Sequence, residues 1–195
     1  MTELGNLATR ENLHIQTHLA ENVREIAWVK DLEPDCKNYT EVYHKSNLLG
    51  PKTVLAHCCH LEDEELELIK NTGAGISHCP NSNFSLKSGV CDVRKYKNVG
   101  VKLGLGTDCS GGFSPSILNA MRMAVMASNT LTFGQPETAY QPLSYSDSLY
   151  LATRGGAAVL DMAGEIGGLD QGMLADIILV DMRGRTGQGN INQRV

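Results

Sequence analysis

Four times along this chain an apolar, strand-like run stops on a histidine or an aspartate. Leu13-His14-Ile15-Gln16-Thr17-His18 is the first and Thr53-Val54-Leu55-Ala56-His57 the second. Ala74-Gly75-Ile76-Ser77-His78 follows, and then Val101-Lys102-Leu103-Gly104-Leu105-Gly106-Thr107-Asp108. The gaps between these runs leave room for a helix and two loops, which predicts parallel strands joined by crossovers. An α/β barrel gathers its strand ends on one face, and catalytic groups sit there.

The intervening segments read as helices with ordinary stops. A helix over about 3–9 leads into the first strand, and another over 21–32 carries Val23, Ile26, Ala27 and Lys30 on one side before Pro34 ends it. A short helical piece is predicted over 40–45, and Gly50-Pro51 turns into the second strand. A helix over 62–70 is acidic in its first turn and is stopped by Gly73. His78-Cys79-Pro80-Asn81-Ser82-Asn83 reads as a polar loop, and 84–95 as a weak helix or irregular segment. Beyond the Gly111-Gly112 loop, Ser114 caps a helix with Pro115 at its first position, and Met121 and Met126 are expected in the core beside Ile117, Leu118 and Val125. After a loop over 132–142, residues 144–160 read as a helix broken at Gly155-Gly156. A glycine-rich stretch, Gly164–Gly172, precedes one more predicted strand, Ala175–Asp181, and residues 183–195 read as a disordered tail.

Composition narrows the class. The 195 residues suffice for one substantial core with a small appendage, but fall short of the roughly 250 typical of a complete eight-stranded α/β barrel. A net charge of −5 argues against a nucleic-acid-binding surface. The six cysteines (Cys36, Cys58, Cys59, Cys79, Cys91, Cys109) form no C-x-x-C pair and read as reduced thiols. Cys58, Cys79 and Cys109 each follow a polar strand end, and small buried hydrophobes are the expectation for all three. Met1-Thr2-Glu3-Leu4 is no signal peptide, and no apolar run approaches the ~20 residues that span a bilayer, so a soluble cytosolic protein without membrane partners is expected.

Three imidazoles and a carboxylate converging on one face suggest metal chemistry. His18 and Glu21 are the sharpest local pair: a strand-end histidine can bind a metal, and a carboxylate three residues on can move protons beside it. By itself H-x-x-E is weak, and Glu21 equally suits a helix N-terminus. His57 reads as a site residue or a satisfied core imidazole, and Asp108 as a ligand or an N-cap, with Gly104 and Gly106 letting the backbone approach a ligand. His78 is placed behind the others, with hydrogen-bond partners at hand in the asparagine-rich loop that follows it. His14 points to the same face as His18 but deeper, whereas His44 and His60 lie in polar connections and are expected in solvent. H-E-x-x-H, P-loop, G-x-S-x-G, dinucleotide and cytidine-deaminase signatures are absent.

Taken in order, Thr17-His18-x-x-Glu21-Asn22, Ala56-His57-Cys58, His78-Cys79-Pro80-Asn81-Ser82-Asn83 and Gly104-Leu105-Gly106-Thr107-Asp108 form a recognisable set. With Gly164-Glu165-Ile166-Gly167 ahead of Ala175-Asp176, it resembles the aminohydrolase branch of the metal-dependent amidohydrolase superfamily, and within it the guanine deaminases, from about Glu3 to Asp181. The resemblance implies a (β/α)8 barrel with a small β-sandwich built from both termini. The four strands would be barrel strands five to eight within an incomplete TIM-type barrel over residues 1–165, with a sandwich remnant over 166–182. It implies zinc as cofactor, with His18 and Asp108 as ligands. Glu21 would be the proton shuttle, and His57 would hydrogen-bond the attacking water or the developing oxyanion. These four residues would also touch the purine, with His78 and Asn83 supporting them from behind. The implied reaction is guanine plus water to xanthine plus ammonia, by an enzyme that forms homo-oligomers at full length.

The chain departs from that family pattern in one large respect. The family supplies further zinc ligands from an H-x-H pair on barrel strand one, and none of the six histidines here forms one. Only twelve residues precede the first strand, and the upstream arginine and glutamine that hold the purine are missing. A catalytic zinc usually has three protein ligands, and two are placed here. The expectation is therefore a C-terminal fragment or isoform, inactive alone and prone to association through its open strand edges. Two other readings stand beside it: a non-catalytic isoform that binds full-length subunits, and an aminohydrolase acting on another aminated or halogenated heterocycle.

Overall fold

The computed structural model describes residues 1–133 and 140–180. A helix, α1 (Thr2–Arg10), leads into strand β1 (Ile15–Leu19), followed by α2 (Val23–Leu32) and α3 (Tyr39–Lys45). Strand β2 (Thr53–His57), helix α4 (Asp63–Thr72) and strand β3 (Gly75–His78) come next. Helices α5 (Pro80–Ser85) and α6 (Val93–Val99) then precede strand β4 (Lys102–Leu105). The remainder is α7 (Ile117–Thr130), α8 (Tyr145–Tyr150), a π-helical turn (Leu151–Gly155) and α9 (Gly156–Val159).

The strands form one parallel sheet in the order β1-β2-β3-β4, as their spacing predicts. Register carries the polar ends to one edge: His18 lies opposite Ala56, Leu19 opposite His57, and His78 opposite Leu105. Leu19, Leu55, Ile76 and Leu103 join Leu66 and Ile69 of α4 and Val93 and Tyr96 of α6 in the core. Burying each such side chain stabilises the fold by roughly 1.5–3 kcal/mol. Elsewhere the sheet is approached by backbone: a Cβ on Gly75 would lie 2.9 Å from Val159 Cα, and one on Gly104 would lie 3.0 Å from Gly156 Cα. Gly104 thus admits α9 rather than a ligand.

Several expectations are corrected. The Pro80–Ser85 segment is a helical turn with proline at its start, not a loop. Residues 93–99 are regular helix because Asp92 accepts from Lys95 N–H at 3.0 Å and Gly100 closes the end at φ +94°. Ser116, not Ser114, caps α7, accepting from Asn119 N–H at 3.3 Å. That helix packs through Ala120, Ala124 and Ala127, which leaves Met126 58% exposed instead of in the core. Gly155-Gly156 does not break its helix. The chain runs on through the π-turn because Gly155 must lie against the Leu103 carbonyl.

Residues 175–180 form no strand, since no described strand lies beside them to complete a ladder, and Leu179 is almost fully exposed. The expected tail over 183–195 and most of the loop over 132–142 lie outside the described residues. Among the described residues no helix is long and apolar enough to cross a membrane.

Candidate active site

The site is built where the four strands end. At β1, Ala20 turns at φ +47° and Asn22 caps α2 in a reciprocal capping box with Glu25. Glu25 also accepts from the Glu21 N–H at 2.9 Å. Capping is therefore done by Asn22 and Glu25, and the Glu21 carboxylate is left for the site. Its Oε1 accepts from Ser88 Oγ at 2.8 Å, and its Oε2 faces His57 Nε2 at 3.9 Å.

His57 ends β2 at φ +71°, with Cys58 next at +51°, and Asp108 stands at +44°. Left-handed backbone at non-glycine residues costs on the order of 1–3 kcal/mol each and collects at functional sites. The His57 ring is 1% exposed. Its Nδ1 meets Asn83 Oδ1 at 2.9 Å, while Nε2 has no hydrogen-bond partner among the described residues and lies 3.9 Å from Asp108 Oδ2. A satisfied core imidazole would have both nitrogens paired. His18 is exposed on the adjacent strand, its ring edge-on to His57 at 5.0 Å between centroids. One ligand atom each from His18, Glu21 and His57 falls within 4.8 Å of the others.

Supporting contacts come from the segment after β3. Asn81 Nδ2 donates to Asn119 Oδ1 at 2.8 Å, and its Oδ1 accepts from Phe113 N–H at 3.2 Å, so it ties down the loop that carries Asp108. A Cβ on Gly111 would stand 2.5 Å from Asp108 Oδ2 and 2.9 Å from Ser82 Oγ. The absence of a side chain there gives the carboxylate its place.

His78 behaves differently from expectation. It is 1% exposed, and among the described residues neither ring nitrogen finds a partner: Asn81 turns to Asn119 and Phe113, and Asn83 Oδ1 meets His57. Burial, helped by nearby His57, pushes its pKa down to about 3, so the ring is neutral. His60 is not in solvent either: its Nε2 meets Ser88 O at 2.7 Å, half-buried. His14 Nε2 meets Leu160 O at 2.8 Å outside the cluster, and His44 is exposed as expected. Among the three thiols, Cys58 and Cys79 are buried and protonated, whereas Cys109 is exposed. Ser88, which joins Glu21 to His60, carries no signal in the sequence.

The donor set fits a divalent metal. An unpaired imidazole nitrogen faces two carboxylates, and the opposite ring nitrogen meets an amide oxygen, as ligating histidines do. His18, Glu21 and His57 each offer a ligand atom there, and Asp108 Oδ2 stands 3.9 Å from His57 Nε2, so the side chains that could hold an ion come from this group.

The fold and this cluster agree with the family the sequence shows: the Amidohydrolase family matches residues 1–194, and the chain belongs to it. It is 48% identical over 184 residues to the probable guanine deaminase of Schizosaccharomyces pombe, covering 93% of this chain and 34% of that protein. To guanine deaminase of Mus musculus it is 47% identical over 183 residues, covering 94% of this chain and 40% of the mouse protein. The solved guanine deaminase of C. acetobutylicum with guanine bound in its active site superimposes with a TM-score of 0.81 at 39% identity, over 88% of this chain and 40% of that one. The chain thus spans well under half the length of these relatives.

Proposed function

We propose that this chain carries the later half of a zinc-dependent guanine deaminase site, converting guanine and water to xanthine and ammonia once the donor set is complete. The observation that carries the reading is the convergence of His18, Glu21 and His57 within 4.8 Å, with Asp108 Oδ2 3.9 Å from His57. Similarity to guanine deaminases of two kingdoms supports the choice of purine. In this reading β1–β4 are barrel strands five to eight, residues 1–165 are barrel, and 166–182 are a remnant of a small sandwich. Cytosolic location and homo-oligomeric assembly at full length belong to the same proposal.

His18 and Asp108 would hold a zinc ion, which would supply a water of lowered pKa. His57 orients that water over C2 of the ring. Asp108 takes up the water's proton as the new C–O bond forms. That proton passes to the Glu21 carboxylate, steadied by Ser88, which delivers it to the ring nitrogen. Glu21 then takes the proton of the new C2 hydroxyl and gives it to the departing amine, and the C2–N bond breaks to leave a C2 carbonyl and release ammonia. His78 and Asn83 support the site from behind.

Because the sequence holds no H-x-H pair, the chain alone is short of zinc ligands, and inactivity by itself is part of the proposal. The same absence favours a second reading, a non-catalytic form that associates with full-length subunits. Metal analysis and ammonia release from guanine test the first, and co-purification with a full-length relative tests the second. Turnover of another aminated or halogenated heterocycle in preference to guanine would redirect the substrate assignment.

A further inference from the structure

We infer that Asn83 is a positioning residue that commits the His57 ring, when uncharged, to the Nδ1–H tautomer, so that Nε2 meets the site as a bare acceptor. The inference rests on the placement of His57 in the proposed site, but not on zinc or guanine. It decides between the two parts His57 could play. A bare Nε2 accepts a hydrogen bond from the attacking water and so orients it, whereas an Nε2–H would donate to a developing oxyanion.

Three observations carry it. Asn83 Oδ1, an acceptor, stands 2.9 Å from His57 Nδ1, so Nδ1 must be the donor. Both residues are 1% exposed, so water does not compete for that bond. His57 Nε2 has no partner among the described residues and lies 3.9 Å from each of two carboxylate oxygens, a gap that a water or a cation fits and a direct hydrogen bond does not. The left-handed backbone at His57 (φ +71°) and the helical turn at Pro80–Ser85 fix the two side chains against each other across 26 residues of chain. The energy at stake is set by burial: a ring nitrogen without its partner at this depth has no solvent to turn to.

The test is the tautomer itself, read by long-range proton–nitrogen NMR of the nitrogen-labelled chain in mildly alkaline buffer without metal or purine. Wild type is expected to show His57 Nδ1 as a protonated, pyrrole-type nitrogen and Nε2 as a bare, pyridine-type nitrogen. Asn83→Asp, which keeps an acceptor oxygen, should retain that pattern. Asn83→Ala should lose it, moving His57 toward the Nε2–H form that free imidazole prefers, while His14 and His60 keep their signatures. An Nε2–H tautomer in wild type overturns the inference, because the amide would then present its nitrogen to the ring. So does an Asn83→Ala spectrum in which His57 is unchanged. If Asn83→Ala does not fold, wild type and Asn83→Asp still decide. Failure to deaminate guanine leaves this result standing.

Discussion

Ser88 Oγ donates to Glu21 Oε1 at 2.8 Å, joining residues 67 positions apart in the chain. The bond holds the carboxylate toward His57, and Ser88 is itself fixed by the contact of its carbonyl oxygen with His60 Nε2 at 2.7 Å. Ser88→Ala should therefore cost about 1.5–3 kcal/mol, the worth of a hydrogen bond to a charged group. Urea denaturation measures the loss, and a double-mutant cycle with Glu21→Gln should show that most of it is shared. Additive effects of the two substitutions would mean the bond is not formed.

Gly111 gives Asp108 its place, since a Cβ there would stand 2.5 Å from Oδ2. Gly111→Ala should displace the carboxylate and lower zinc affinity on the order of 10-fold, the effect typical of residues that orient a ligand. Competition with a chromogenic chelator reads this directly. Unchanged affinity would remove Asp108 from the ligand set.

How much of this was legible in the sequence follows from range. Strand positions and their polar ends were legible because each is a local pattern, apolar residues closed by one histidine or aspartate. His18, His57 and Asp108 stand out that way, and Glu21 by its spacing from His18; the structure brings these side chains near one another. Contacts that depend on distant segments were not legible. Nothing local marks Ser88 as the partner of Glu21, or predicts that Asn81 turns to Asn119 and that neither His78 ring nitrogen is paired among the described residues. The strand expected over 175–181 failed for the converse reason: apolar alternation makes a strand only when a ladder partner lies alongside.

The core should respond as a packed sheet does. Leu55 is fully buried in β2, and Leu55→Ala should destabilise the chain by about 2–5 kcal/mol. Trp28, 66% exposed on α2, should tolerate alanine within about 0.5 kcal/mol. Comparing the two by denaturation checks that the sheet forms in solution, and equal effects would argue that it does not.

Burial of neutral His78 links stability to pH. Its pKa falls from 6.5 in the unfolded chain to about 3 in the fold, so between those values the unfolded state binds the extra proton. The stability this group contributes is complete above pH 6.5 and is lost as pH falls toward 3, at no more than about 1.4 kcal/mol per pH unit. His78→Leu should flatten that part of the curve in urea midpoints taken across the range. An unchanged slope would show that the ring is not held neutral.

Ammonia release from guanine, measured on this chain joined to the complementary segment of a related guanine deaminase, tests the central claim most directly. With zinc present, the joined protein should release ammonia and xanthine, and Glu21→Gln within it should cut turnover by about 10²–10⁴-fold, the scale of a lost proton shuttle. Undiminished turnover by the Glu21→Gln protein, or no ammonia from a folded, zinc-loaded parent, would contradict the account.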